Sequence, residues 1–364
     1  MKVLFASGGS AGHVDPAIAT AEALKDLSPT ASIVFMGTRA GIESRLVPSA
    51  GYPLLTIEKL PFPRRFSISS LAWPVRAISN LHRARRIVRD FDVVVGFGGY
   101  VSAFGILAAF LERVPRIVHE ANALSGLANR FAGRLGALAF ASYPRAEKQM
   151  RNARLMALPL RKNMQAAPMD QTEAKRFFDV PVDLPTVLIV GGSLGARRLN
   201  AMVSNMVSAG ESLPYSIIHS LGHDVDLPVA SSRYRPLAYI ERMDVALSAA
   251  DLVISRAGAG AVAQIARFEV PAIFIPLWHG NGEQGANAAP AAEIGAALVL
   301  KEDDTLESRL RAEVTRLIGN SMELSTMRSA YAKLPVSLHS CDGADEMAAE
   351  IIAQFRAKVG AQVR

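Results

Sequence analysis

The sequence predicts an α/β fold of two Rossmann-like, doubly wound domains facing one cleft, and three observations carry that prediction. At 364 residues the chain exceeds what one hydrophobic core ordinarily supports, so two domains are expected. Short β-branched runs alternate with longer amphipathic runs from end to end, the pattern of βα units feeding a parallel sheet. A strand followed directly by a glycine turn opens the chain and recurs 183 residues later, half the chain length.

Strands are expected near 2–6, 32–36, 53–57, 92–96, 116–119 and 136–140 in the first half, and near 186–190, 215–219, 235–238, 251–255, 271–275 and 296–300 in the second. The domains read as 1–159 and 160–342, joined near Pro159, with a final helix at about 343–364 placed to cross back onto the first domain. The stretch Val93 to Leu111 has 19 consecutive uncharged residues and meets the length test for a membrane span. Gly96, Gly98, Gly99 and Gly105 instead break it into a strand, a turn and an apolar helix.

Composition narrows the class. Half of the residues are apolar, 20% are charged and 27 are glycine, which excludes disordered, collagen-like and repeat-array chains. The single Cys341 forms no intrachain disulfide and no Cys/His cluster has zinc spacing, so a reducing compartment is expected. Met1-Lys2 runs straight into Val3-Leu4-Phe5-Ala6 with no signal-like apolar region, so export is not expected. The net charge of +7 is concentrated: Lys59, Arg64, Arg65, Arg76, Arg83, Arg85, Arg86 and Arg89 lie in a window without an acid, and the rest of the chain is close to neutral.

Four glycine turns mark candidate ligand sites: Gly8 to Gly12, Gly96 to Gly99, Gly191 to Gly195, and Gly258-Ala259-Gly260. A glycine turn between strand and helix exposes unpaired N–H groups at the positive end of the helix and admits a phosphate without a Cβ clash. A nicotinamide site is disfavoured because no ribose-binding acid follows the G-x-G-x-x-A run at Gly258, and no P-loop occurs. His13 closes the first turn and is the candidate base, since an imidazole exchanges protons near neutral pH. Asp15 reads mainly as a helix-start carboxylate. His119-Glu120 beside Asn122 reads either as a structural pair or as an acceptor-site element.

The ordered blocks Gly8-Gly9-Ser10-Ala11-Gly12-His13, Gly96-Phe97-Gly98-Gly99-Tyr100, His119-Glu120-Ala121-Asn122 with Asn129, Gly191-Gly192-Ser193 with Asn200, Ser255-Arg256 with Gly258-Ala259, and Asn281-Gly282-Glu283-Gln284 cover nearly the whole chain. On these the sequence resembles the MurG family, the UDP-N-acetylglucosamine:lipid I N-acetylglucosaminyltransferases of peptidoglycan synthesis, which have the two-domain GT-B architecture. The resemblance implies an inverting transfer of N-acetylglucosamine to the C4 hydroxyl of the N-acetylmuramyl unit, with no cofactor and no metal.

It implies His13 as base, and donor contacts from Ser10, Ala11, Gly12, Asn122, Arg161, Ser193, Asn200, Ile240, Arg256, Ala259, Gly260, Ala261, Val262, Ala263, Gln264 and Gln284. Gly98, Gly99, Tyr100, His119 and Glu120 fall on the acceptor side. Lipid I would bring the protein to the cytoplasmic face of the cell membrane as a peripheral protein. There Arg64, Arg65, Arg76, Arg83, Arg85 and Arg86, interleaved with Phe66, Leu71 and Trp73, are the expected contact with the anionic inner leaflet. Other cell-wall synthesis proteins are candidate partners; nucleic acid is not.

The sequence departs from the family at several positions. Gln264 replaces a usual glutamate that accepts bonds from both donor ribose hydroxyls, and an amide is a weaker clamp. Ala11 replaces a glycine, which requires a negative φ there. Leu158, Leu194 and Ala257 also differ. Two alternatives to an active enzyme therefore stand: a catalytically weakened homologue that binds UDP-sugar or lipid as a regulator or scaffold, and a GT-B enzyme with another acceptor.

Overall fold

The computed structural model describes residues 1–60, 72–192, 196–208, 213–222, 225–277 and 282–362. It divides into two compact units, one of Met1–Lys162 together with the chain from Ser340 onward, the other of Asn163–His339.

In the first unit the strands are β1 (Lys2–Ala6), β2 (Ser32–Thr38), β3 (Leu54–Ile57), β4 (Val93–Gly96), β5 (Arg116–Glu120), β6 (Leu138–Ala141) and β7 (Ala153–Leu155). Among the described residues they form a seven-stranded parallel sheet in the order β3-β2-β1-β4-β5-β6-β7. The helices are α1 (Ala11–Leu27), α2 (Glu43–Ser49), α3 (Trp73–Val88), α4 (Gly99–Leu111), α5 (Leu127–Arg134) and α6 (Pro144–Gln149), with α7 (Lys162–Gln165) at the junction. Side chains alternate across a strand, so Val3, Phe5, Val93 and Val95 join α1 on one face while Leu4, Ala6 and Val94 join α3 and α4 on the other. Both faces are covered, which is why these strands read as unbroken apolar runs.

The uncharged stretch resolves into β4, a glycine turn and α4. Gly105 lets α4 lie close on the sheet, since a Cβ there would stand 2.6 Å from the Ala6 Cβ. No helix among the described residues is long and apolar enough to cross a membrane.

In the second unit the helices are α8 (Gln171–Phe177), α9 (Arg197–Ser208), α10 (Met243–Ala249), α11 (Ala259–Arg267), α12 (Glu283–Glu293), α13 (Leu306–Ile318) and α14 (Ser321–Ala330). The strands β8 (Thr186–Val190), β9 (Ser216–Ser220), β10 (Tyr234–Leu237), β11 (Leu252–Ser255), β12 (Ala272–Phe274) and β13 (Ala297–Val299) form a six-stranded parallel sheet in the order β10-β9-β8-β11-β12-β13. Both sheets thus reverse their winding beside their first strand, between β1 and β4 and between β8 and β11. The crossover helices there leave in opposite directions and open a crevice at the carboxyl ends of the strands. The four glycine turns follow these four strands.

The chain ends in α15 (Gly343–Gln362), which belongs to the first unit. Its Ala344, Met347, Ala348 and Ile351 are fully buried with Val14, Ala17, Ile18 and Ala21 of α1. Gly343 admits the close approach, because any Cβ there would run into the Ala157 carbonyl. The one strand not expected from sequence is β7. It has three residues, it pairs only with β6 at the sheet edge, and its side chains are largely exposed, so it lacks an apolar signature.

Candidate active site

The first glycine turn is built for an anionic or hydroxylic ligand. Ser10 caps α1 with extended backbone (φ −149°) and makes no side-chain capping bond, so the first amides of the helix are left to other partners. Gly9 has φ +93°, the left-handed region that favours glycine, and Ala11 is absent from the positive-φ residues, which is why alanine is accommodated there.

The His13 ring occupies the space between the first two turns. Its Nδ1 lies 3.3 Å from the Gly8 carbonyl oxygen and 3.2 Å from Ser10 Oγ. A carbonyl only accepts, so Nδ1 carries the hydrogen and Nε2 keeps its lone pair. That Nε2 faces the second turn: a Cβ on Gly98 would stand 3.1 Å from it, and a Cβ on Gly99 3.4 Å from Nδ1. Both glycines have positive φ, +92° and +75°. The half-buried Tyr100 follows at the start of α4, its hydroxyl hydrogen-bonded to Thr38 and pushed above its ordinary pKa by burial. Asp15 makes no hydrogen bond to His13 among the described residues.

His119 and Glu120 are held within the first unit by hydrogen bonds of its own loop. They are 1% and 4% exposed. Glu120 Oε1 accepts from the Asn122 backbone (3.0 Å) and side chain (3.2 Å), and Oε2 from Gly126 N (2.8 Å) and Asn129 Nδ2 (3.0 Å). The carboxylate thus shapes the loop before α5. Asn129, which also donates to the His119 carbonyl (3.2 Å), is the element that sequence reasoning left without a role. Arg161 forms a two-point ion pair with Glu22 of α1 (3.0 and 2.7 Å).

In the second unit α11 begins at Gly258 with extended backbone and no side-chain cap, so its first amides are likewise unpaired within the turn. Ala259 and Val262 are buried, while Gly260, Ala261, Ala263 and Gln264 are partly exposed. Gln264 makes no side-chain hydrogen bond among the described residues. Gln284, in the first turn of α12, accepts from Leu277 N (2.9 Å) through Oε1, and its amide nitrogen makes no hydrogen bond among the described residues. Ile240 is buried, so a ligand meets its backbone only.

Two expected donor contacts are engaged by the protein itself. Arg256, 7% exposed, donates to the Ile275 carbonyl (3.0 Å) and pairs with Glu302 (2.5 Å), which neutralises its charge. Asn200 bridges: Nδ2 donates to the Leu221 carbonyl (2.8 Å) and Oδ1 faces His219 Nε2 (3.2 Å), whose Nδ1 meets the Tyr234 hydroxyl (3.1 Å). Asn200 therefore ties the start of α9 to the loop after β9. Ser193 lies outside the described residues.

The basic segment is less basic than its sequence. Arg76 pairs with Glu58, and Arg85 (2.6 Å) and Arg89 (2.9 Å) share Glu112. Arg83 and Arg86 are exposed and in no ion pair among the described residues. They share α3 with Val75 and Ile78, 71% and 58% exposed. Trp73 is half-buried; Arg64, Arg65, Phe66 and Leu71 lie outside the described residues.

Models of known families match both units: the glycosyltransferase family 28 N-terminal domain over residues 3–140 and the glycosyltransferase family 28 C-terminal domain over residues 186–340. Fold and site together define a two-domain glycosyltransferase. Among curated relatives, the UDP-N-acetylglucosamine–N-acetylmuramyl-(pentapeptide) pyrophosphoryl-undecaprenol N-acetylglucosamine transferase of a Nocardioides species is 40% identical over 92% of this chain and 94% of its own. That of Corynebacterium diphtheriae is 37% identical over 90% of each chain. The crystal structure of Acinetobacter baumannii MurG superposes with a TM-score of 0.75 at 27% identity, covering 97% of this chain and 99% of that one. The chain belongs to this family of N-acetylglucosamine transferases, the MurG family.

Burial sets a pH dependence of stability. It lowers the pKa of His119 and of His219 from 6.5 to about 4, so both are neutral in the folded protein near neutral pH. The unfolded chain takes up protons on them first. Their contribution is therefore complete above the ordinary histidine pKa and is lost as pH falls from there through about 4. Urea unfolding across that range is expected to show this loss, and His219→Gln to reduce its slope; identical slopes in the two proteins would contradict the assignment.

Proposed function

We propose that this chain moves N-acetylglucosamine from UDP-N-acetylglucosamine to the C4 hydroxyl of the N-acetylmuramyl unit of lipid I, with inversion at the anomeric carbon, releasing UDP. The observation that carries this reading is the His13 imidazole, fixed through Nδ1 on the Gly8 carbonyl with its Nε2 lone pair turned to the glycines of the second turn. The printed names of the relatives describe the same transfer for those proteins.

In this reading His13 Nε2 takes the proton of the C4 hydroxyl as its oxygen attacks the donor C1 from the face opposite the leaving group. The C1–O bond to the diphosphate breaks and its electron pair leaves with UDP. The Gly8 carbonyl, still accepting from Nδ1, stabilises the imidazolium. The unpaired amides at the start of α11 meet the charge that develops on the diphosphate. Because Arg256 is neutralised by Glu302, its part is to hold the Ile275 carbonyl and the turn before α11, more than to supply bare charge. Gln264, one turn into α11, is the ribose contact, and the Gln284 amide faces the donor. On the acceptor side, Gly98, Gly99 and Tyr100 border the base.

Lipid I lies in a membrane, and exposed Val75 and Ile78 with Arg83 and Arg86, in no ion pair among the described residues, give α3 an apolar and cationic face suited to the anionic inner leaflet at the cytoplasmic side.

Purified protein given UDP-N-acetylglucosamine and a lipid I analogue is expected to release UDP with a chelator present. His13→Ala should lower kcat by at least about 100-fold, the usual worth of a general base; unimpaired turnover in that variant would remove His13 from the reaction. Gln264→Glu should lower the donor KM by about tenfold if a charge-assisted bond replaces a neutral one, and an unchanged KM would mean that the ribose is held elsewhere. Replacing Val75, Ile78, Arg83 and Arg86 together by Ser should reduce co-sedimentation with vesicles of anionic lipid while leaving turnover of a water-soluble acceptor intact; undiminished sedimentation would exclude this face.

A further inference from the structure

The carboxylate of Glu43 is fully buried in the first unit and has no lysine or arginine partner among the described residues. Burying a charge without a counter-ion is costly unless hydrogen bonds replace water. Three do so. Oε1 accepts from the backbone N–H (2.9 Å) and the hydroxyl (2.7 Å) of Thr38 at the end of β2, and Oε2 accepts from Gly9 N (3.0 Å) in the first glycine turn.

The surrounding backbone is shaped to admit this side chain. A Cβ on Gly8 would stand 2.7 Å from Oε1 and one on Gly37 2.5 Å from the Glu43 Cγ, and one on Gly41 would overlap the carboxylate. The Thr38 hydroxyl gives its hydrogen to Glu43 and bonds the hydroxyl of Tyr100, which opens α4 directly after Gly98 and Gly99. One carboxylate therefore ties the first turn to the residue that follows the second. His13 sits between those turns, its Nδ1 on the Gly8 carbonyl and its Nε2 against Gly98.

We propose that Glu43 is a positioning residue for the transfer: it sets the two glycine turns in register, and through Gly8 and Tyr100 holds the His13 imidazole with Nε2 aimed at the acceptor hydroxyl. This rests on the reading of His13 as the base. Glu43 touches neither substrate, so its effect falls on the chemical step. Misplacement of a base by a fraction of an ångström to an ångström costs rate without weakening donor binding.

Glu43→Gln tests this at constant size. An amide has one acceptor oxygen, so in either orientation its NH2 group faces a donor, on Thr38 or on Gly9. The variant is expected to lower kcat by about 10- to 100-fold, with the donor KM unchanged. Added to His13→Ala it should cause no further loss, because the group it positions is gone. Thr38→Val, which removes one of the Oε1 donors and the link to Tyr100, should give the same signature at smaller size. Wild-type kcat in Glu43→Gln, or an equal fractional loss in the presence and absence of His13, would overturn the proposal. Full activity in His13→Ala alone would instead overturn the reading of the base, so the two failures are told apart in one set of four proteins.

Discussion

The structure depends on a constraint at the reversal of strand order in each sheet. Where the chain turns back beside its first strand, no crossover helix closes the carboxyl ends of β1 and β4 or of β8 and β11. Backbone emerging there leaves the sheet within a residue or so, and N–H groups beyond the ladder must find side chains, ligands or water. Glycine lets the chain turn sharply at these points, with φ of +93° at Gly9, +92° at Gly98 and +96° at Gly192. It also leaves the volume that an imidazole fills in the first unit. The same omission of side chains that makes the turns also makes the room for chemistry.

Around these turns the first unit spends its polar groups on rigidity. Glu43 and Glu120 are both buried carboxylates without a cationic partner among the described residues, and each satisfies its oxygens on backbone and side-chain donors of a loop that borders the crevice. Such sites hold a loop in one conformation only while both oxygens are hydrogen-bonded, since an incomplete set leaves a buried charge exposed to the apolar interior. The second unit shows the same habit in a different form: Asn200, His219 and Tyr234 form a chain of side-chain contacts that ties α9 to the end of β9.

Much of this was legible in the sequence because its signals are local. The βα alternation and the glycine turns mark strands and crevices directly, and only β7, too short and too exposed for an apolar pattern, was missed. The charges were read less well. The window of arginines before α4 contains no acid, yet Glu58 lies just before it and Glu112 directly after α4, and these pair with Arg76, Arg85 and Arg89. The burial of both His119 and Glu120 was not legible either, because strand alternation does not say which side chain turns inward. Glu43 sits in no motif. Its signal is Gly37 and Gly41 close before it and the distant Gly8, which converge on one side chain.

The central claim is that the first two turns orient His13 so that its Nδ1 carries the hydrogen bonded to the Gly8 carbonyl and its Nε2 faces the second turn. Nitrogen-15 spectra of histidine-labelled protein at alkaline pH, with the His13 signals assigned by their loss in His13→Gln, test it most directly. The geometry predicts a protonated-type shift for Nδ1 and an unprotonated one for Nε2. The reverse pattern would leave no base facing the second turn and would contradict the mechanism at its first step.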